Sequence, residues 1–166
     1  MHLLVVRHGI AEERQSDMDD ASRELTRIGE RKFRGIVSGL RELGWRLDRV
    51  LTSPWQRALR TAELLSPICN AEPLASELLC QPPRAELLAQ IAEATGPAKK
   101  RHATAVVGHE PWLSELVAWL AFGDPKHGAA IDLKKGGIVW LRGNAVPGGM
   151  QLRAMLTPSI LRELAE

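Results

Sequence analysis

Apolar positions along the chain follow two rhythms. Residues 3–6 (Leu-Leu-Val-Val), 50–52 (Val-Leu-Thr) and 103–107 (Ala-Thr-Ala-Val-Val) are short and almost continuously apolar. Runs of that kind predict strands buried on both faces. Between them the apolar residues recur at helical spacing. Ile28, Phe33, Ile36, Val37, Leu40 and Leu43 form one such face, with Gly44 as its stop. Ala58, Leu59, Ala62 and Leu65 form a second, behind a Ser53-Pro54 pair that reads as N-cap and first helical residue. Leu87, Leu88 and Ile91 form a third within 84–94, and Leu113, Leu116, Val117 and Leu120 a fourth behind Pro111. Residues 138–141 and 151–156 flank a Gly/Pro/Asn-rich turn at 143–149, which predicts a β-hairpin, and a last short helix starts near Pro158. The stretch 12–22 reads as a polar loop, and 67–83 as loop with at most a short strand. Strands that alternate with helices predict an α/β three-layer sandwich. Its central sheet is expected to be mixed but mostly parallel, with helices on both faces.

With no repeat, low-complexity stretch or linker, 1–166 reads as one domain, long enough to bury a core without disulfides or metals. A net charge of +2 gives no footprint for nucleic acid. The longest basic cluster, Lys99-Lys100-Arg101-His102, follows Gly96-Pro97 and reads as a solvated loop entering a strand. The only cysteines, Cys69 and Cys80, make no CxxC or zinc spacing and read as reduced. The apolar start is broken by Arg7, far short of the ~20 residues of a membrane span, and lacks the charged start and cleavage site of a signal peptide. A cytoplasmic protein without membrane contact is expected.

Three of the expected strands deliver polar residues at their carboxyl ends. The first ends in Arg7-His8-Gly9, the second in Ser53-Pro54 with Arg57 one turn further on, and the third in Gly108-His109-Glu110-Pro111. In an open α/β sheet the crevice beyond those ends is the usual site. Two guanidiniums offer planar forks matched to phosphate oxygens, and a helix start aimed at the same place favours an anion. A neutral imidazole there can attack phosphorus in line while a second donates to the phosphoryl oxygens. Gly9 lets the backbone pass close to a ligand.

Arg7-His8-Gly9, Leu25-Thr26-Arg27-Ile28-Gly29, Ser53-Pro54-Trp55-Gln56-Arg57-Ala58 with Thr61-Ala62, and Val107-Gly108-His109-Glu110-Pro111 together resemble the histidine phosphatase, or phosphoglycerate-mutase-like, superfamily. The small size and the Gly-His-Glu-Pro wording are most similar to its SixA-type phosphohistidine phosphatases. The resemblance runs from the first strand to about Leu141. It implies that His8 is the nucleophile, that Arg7, Gly9, Arg57 and His109 bind phosphate, and that no metal or cofactor is needed. It also implies a phosphorylated protein as partner, such as a histidine-phosphotransfer domain. Where relatives often have Arg-Pro before the Leu-Thr pair, this chain has Arg23-Glu24, which reads as a surface turn. The segment between the Arg57 helix and the third strand is short, so the site is expected to lack the substrate-capping insertion of larger relatives. Larger relatives take their acid from the region matching Glu77. Glu12, Asp17, Asp19 and Asp20 are the alternatives in the loop after His8. A phosphohistidine makes the acid less critical, because its leaving nitrogen can take a proton from solvent.

Plainer readings exist for each residue. His8 could be a core histidine, Arg57 a surface partner of Glu30 or Glu63, and His109 a cap for the helix at Pro111. Asp17, Asp19 and Asp20 lack the glycine and distal glutamate of a calcium loop and read as solvated. Lys134-Lys135-Gly136-Gly137 reads as a turn into a strand, and Trp55 is the tryptophan placed to line a site. Three functions are therefore weighed: a phosphohistidine phosphatase, a small-molecule phosphomonoesterase, and an anion-binding regulatory module without catalysis.

Overall fold

The computed structural model describes residues 1–94 and 101–165. Its elements follow the order β1 (His2–Arg7), α1 (Arg27–Glu42), β2 (Arg46–Thr52), α2 (Gln56–Glu63), β3 (Leu74–Ala75), α3 (Ala85–Glu93), β4 (His102–Gly108), α4 (Trp112–Phe122), β5 (Ile138–Gly143), β6 (Met150–Leu156) and α5 (Pro158–Glu163). Short 3-10 turns at Asp20–Ser22 and Glu77–Cys80 lie near the site described below. Among the described residues the strands form one sheet in the order β3-β2-β4-β1-β5-β6. The first four run parallel, and β5 and β6 are antiparallel to their neighbours. This is the mixed, mostly parallel sheet that the apolar rhythm predicts.

The sheet has two covered faces because side chains alternate along each strand. Leu4, Val6, Ala105, Val107 and Ile138 point to the side of Phe33, Ile36, Val37 and Leu40 of α1, Ala58 and Ala62 of α2, and Leu161 of α5. Leu3, Val5, Val106, Val139 and Leu141 point to the side of Leu87, Leu88 and Ile91 of α3 and Leu113, Leu116, Val117 and Leu120 of α4. The two apolar faces of one sheet, each met by helices, make the three layers. Helix α1 begins where Thr26 accepts the Gly29 N–H at 2.9 Å. It stops at Gly44, whose φ of +80° is the left-handed conformation that glycine adopts without a Cβ penalty. Trp45 is buried against Trp140 and His2 under the central strands.

Three expectations need correction or bounding. Ser53 is not the N-cap of α2: the helix starts at Gln56 with Trp55 as its cap residue. The Ser53 hydroxyl accepts the Trp55 N–H and is otherwise committed to side chains of the site, so the chain makes a tight turn first. The stretch read as mostly loop holds the short strand β3 and two 3-10 turns. Lys99 and Lys100 of the basic cluster fall outside the described residues, while His102 opens β4. Among the described residues no helix is long and apolar enough to cross a membrane.

Candidate active site

Strand register brings the candidate residues together. β1 pairs with β4 so that Arg7 lies opposite Gly108, and the His8 N–H continues the ladder to the Gly108 carbonyl at 3.2 Å. The Ser53 N–H does the same from the end of β2 to the Val107 carbonyl at 2.9 Å. Three strands therefore end level, and the residues after each ladder face one another. The His8 and His109 ring centroids stand 5.3 Å apart. Arg57, one turn into α2, reaches back to the same point.

His8 is almost completely buried, and its tautomer is set locally. Nδ1 lies 2.7 Å from the Gly9 carbonyl, an atom that can only accept, so Nδ1 carries the proton and Nε2 the lone pair. Arg57 Nε donates to that Nε2 at 3.3 Å. Burial pushes the His8 pKa down to about 3, with the Gly9 bond opposing and the charges of Arg57, Arg7 and Lys135 reinforcing the fall. At neutral pH this is an uncharged imidazole with a directed lone pair, the state a nucleophile needs. The Gly9 N–H donates to Thr61 Oγ1 at 3.0 Å, and Thr61 in turn donates to the Arg57 carbonyl at 2.6 Å. The turn after β1 is thus tied to α2. A Cβ on Gly9 would press on the Leu25 side chain at 3.3 Å, so this turn is crowded from behind.

Both arginines line the site, in different states. Arg7 donates from one terminal nitrogen to the Leu133 carbonyl at 2.8 Å, and its Nε is buried with no partner. Arg57, 4% exposed, is held by Asp20: one terminal nitrogen donates to the Asp20 carbonyl at 2.5 Å and the other to its carboxylate at 3.0 Å. Asp20 also accepts from Arg23 at 2.7 Å. Burial pulls the Asp20 carboxyl upward, but the bonds from Arg23 and Arg57 prevail and hold it below the usual carboxylate range. The Arg57 guanidinium stacks on the Trp55 ring at 4.8 Å.

His109 is 3% exposed and sits against Trp55 at 4.5 Å between ring centroids. Its Nε2 is 2.7 Å from Ser53 Oγ, and its Nδ1 is buried with no partner. Burial, then the charges of His8 and Arg57, push its pKa down to about 3. An unpaired buried polar atom costs free energy on the order of 1–3 kcal/mol. Arg7 Nε and His109 Nδ1 are two such atoms, on residues that lie close to His8.

The sequence expectations for Arg7, His8, Gly9, Arg57 and His109 coincide in one place. Glu77 stands outside that group. It is exposed at the head of the 3-10 turn after β3, where its carboxylate neighbours Cys80. Of the loop carboxylates, Asp20 is the one that touches the site. Arg57 is not a surface partner of Glu30 or Glu63, since Arg60 takes both. Nor does His109 cap α4; Glu110 accepts the Ser114 N–H at 3.0 Å and does so instead. Arg23 is no mere surface turn residue, because it anchors Asp20. Sequence reasoning missed Ser53, Thr61 and Cys80 as parts of the site. Ser53 and Thr61 lay inside quoted motifs, and their hydroxyls beside an expected pocket were the available signal. Cys80 gave none.

The sheet topology and this pocket define a class of α/β phosphate-handling enzyme with a buried neutral histidine. A family model for the histidine phosphatase superfamily (branch 1) matches residues 3–80. An uncharacterised protein of Picosynechococcus sp. is 37% identical over 157 residues, spanning 87% of this chain and 87% of its own. The chain belongs to the histidine phosphatase superfamily. Among solved structures, the protein histidine phosphatase SixA complexed with tungstate shares the fold with a TM-score of 0.77 at 24% identity, over 97% of this chain and 99% of that one. The alpha-ribazole phosphatase of Shigella flexneri shares it with a TM-score of 0.70 at 18% identity, over 95% and 97%.

Proposed function

We propose that this phosphatase removes phosphate from phosphohistidine in a protein, by way of a phosphoryl group carried on Nε2 of His8. The Nε2 lone pair attacks phosphorus, a new N–P bond forms, and the N–P bond of the substrate breaks. The leaving imidazole takes its proton from solvent. Water then attacks the phosphorylated His8, inorganic phosphate departs, and the free imidazole is restored. Arg7, Arg57, His109 and the turn at Gly9 hold the phosphoryl oxygens and the charge that spreads over them in both steps. Glu77 is the candidate acid for substrates whose leaving group is an alkoxide. The chain's own side chains supply every step, so no metal or cofactor is invoked. A soluble cytoplasmic signalling protein is the setting this reading implies.

The observation that carries the reading is how little chain stands over the site between α2 and β4 among the described residues. Between α2 and β4 the described residues hold a two-residue strand, two 3-10 turns and one short helix, with no capping insertion. Beside the nucleophile, a groove of about 560 Å³ runs off from Arg7 and Gly9 along Lys32, Lys135 and Arg162. Among the described residues none of these last three has an ion-pair partner. A site without a capping insertion, next to a basic groove, suits a folded acidic surface better than a small ester that must be enclosed. The likeness to the protein histidine phosphatase SixA supports the same reading. The second reading is a small-molecule phosphomonoesterase, which the shared fold of the alpha-ribazole phosphatase favours.

Hydrolysis of a phosphohistidine peptide and of p-nitrophenyl phosphate, side by side, tests the choice. The expected result is strong preference for the peptide and loss of both activities in His8→Ala. Cleavage of the ester alone would make the second reading the better account. Cleavage of neither would leave an anion-binding module.

A further inference from the structure

Ser53 Oγ is a junction that the reaction above does not use. Three polar atoms converge on it: the Trp55 N–H at 3.2 Å, His109 Nε2 at 2.7 Å and Cys80 Sγ at 3.1 Å. Ser53 is fully buried. A serine hydroxyl has one proton to give and two lone pairs to receive. The Trp55 amide can only donate, so it takes one lone pair. One proton and one lone pair remain, to be shared between a histidine and a thiol.

Only two arrangements satisfy that count with His109 neutral. In the first, Ser53 donates to His109 Nε2 and the Cys80 thiol donates to Ser53. The histidine proton then sits on Nδ1. In the second, His109 Nε2–H donates to Ser53, Ser53 donates to sulfur, and Nδ1 is a bare lone pair. The two differ in what the pocket meets at Nδ1, the atom that is buried without a partner. Against a phosphoryl oxyanion an N–H is attractive and a lone pair is repulsive.

We propose that Ser53 is a positioning residue: it donates its hydroxyl proton to His109 Nε2 and so fixes the Nδ1–H tautomer that binds the phosphoryl oxygens, with the Cys80 thiol donating to Ser53 as the outer link. The inference rests on His109 being a phosphoryl ligand. It gives a role to a buried hydroxyl and a half-buried thiol that catalysis otherwise leaves idle. Burial raises the pKa of Cys80, which keeps the sulfur protonated and able to donate. The exposed carboxylate of Glu77 is a rival acceptor for that thiol proton. If it wins, Ser53 turns to sulfur and the second arrangement follows.

Nitrogen-15 NMR of the histidine-labelled protein with bound tungstate separates the arrangements directly. The expected spectrum has His109 Nδ1 protonated and Nε2 bare. A protonated Nε2, alone or together with Nδ1, would overturn the proposal. Because the intact protein gives this reading, it stands even if a variant fails to fold. Ser53→Ala is expected to lose the single-tautomer signature and about 10- to 100-fold in kcat, less than or comparable to deleting an oxyanion donor outright. Cys80→Ser and Cys80→Ala are both expected to keep the Nδ1–H signature, the first by replacing the donor and the second by removing the rival acceptor. Retention of signature and kcat in Ser53→Ala would also overturn it. A correct tautomer in a protein that hydrolyses no phosphohistidine would fault the proposed substrate and leave the relay intact.

Discussion

The pocket is made from two kinds of segment. The ends of β1, β2 and β4 carry His8, Ser53 and His109; the His8 and Ser53 amides continue the ladders to β4, and His109 directly follows the last paired residue of β4. The polar segment 12–23 carries Asp20 on a 3-10 turn that belongs to no strand, whereas Glu77 opens a 3-10 turn directly behind β3, where the Ser76 N–H continues the ladder to the Thr52 carbonyl. Asp20 is held to the site by the guanidiniums of Arg23 and Arg57, the second of which also bonds its backbone carbonyl. The strand ends are rigid because moving one histidine means breaking sheet bonds. The Asp20 loop is held to the pocket by charge, so a substrate or a change of pH acts on it first. The chemistry stands on the rigid half, and its charge balance on the adjustable half.

Removing a side chain that touches the reacting nitrogen is expected to cost most. Arg57→Ala removes a donor to the reacting centre, and such losses run to about 10²–10³ in kcat. Asp20→Ala removes only what aims that donor. The loss of one charge-assisted hydrogen bond of about 1.5 kcal/mol converts to about tenfold in kcat/KM. Steady-state kinetics on the phosphohistidine peptide rank the two. An Asp20 effect as large as the Arg57 effect would mean that the loop is part of the reacting centre, not its support.

Acid titration sharpens the same contrast. His8 and His109 have pKa values near 3 in the folded protein against an ordinary value of 6.5. The unfolded chain therefore binds their protons first as pH falls. Their neutral, buried state costs nothing above pH 6.5, and stability is lost as pH falls from there toward 3, at up to about 1.4 kcal/mol per pH unit for each. Denaturant unfolding between pH 7 and 4.5 is expected to show that slope, reduced by about half in His109→Gln. A slope unchanged by that substitution would place the titration elsewhere. Activity is expected to persist well below pH 6.5, because the nucleophile stays unprotonated.

The same division decides what could be read from the sequence. Strands and helices were legible because each buries a face, and burial leaves a rhythm: Leu3, Leu4, Val5 and Val6 divide between two cores as a doubly covered strand requires. The positions of His8 and His109 followed from where those strands end. Arg57 followed from its place one turn beyond Ser53. What stayed hidden was partner choice among polar groups. Nothing in spacing separates Asp20 from Asp17 or Asp19, since the difference lies in which carboxylate meets Arg57 once the loop has folded back. Ser53 looked like a helix cap because Ser-Pro usually is one. Its hydroxyl does accept a nearby amide, but burial beside His109 and Cys80 gives it other partners. Glu77 was legible as a position, but it is exposed and stands outside the buried group around His8, and sequence gives no measure of that distance.

The central claim is that phosphate passes through Nε2 of His8. Rapid quench of the enzyme during turnover of a phosphohistidine peptide, followed by mass spectrometry and phosphorus-31 NMR of the labelled chain, tests it most directly. The account predicts one acid-labile phosphoryl group per active site, on Nε2 of His8, absent from His8→Ala. Turnover with no phosphorylated chain, or with the label on His109 or on Nδ1 of His8, would contradict it.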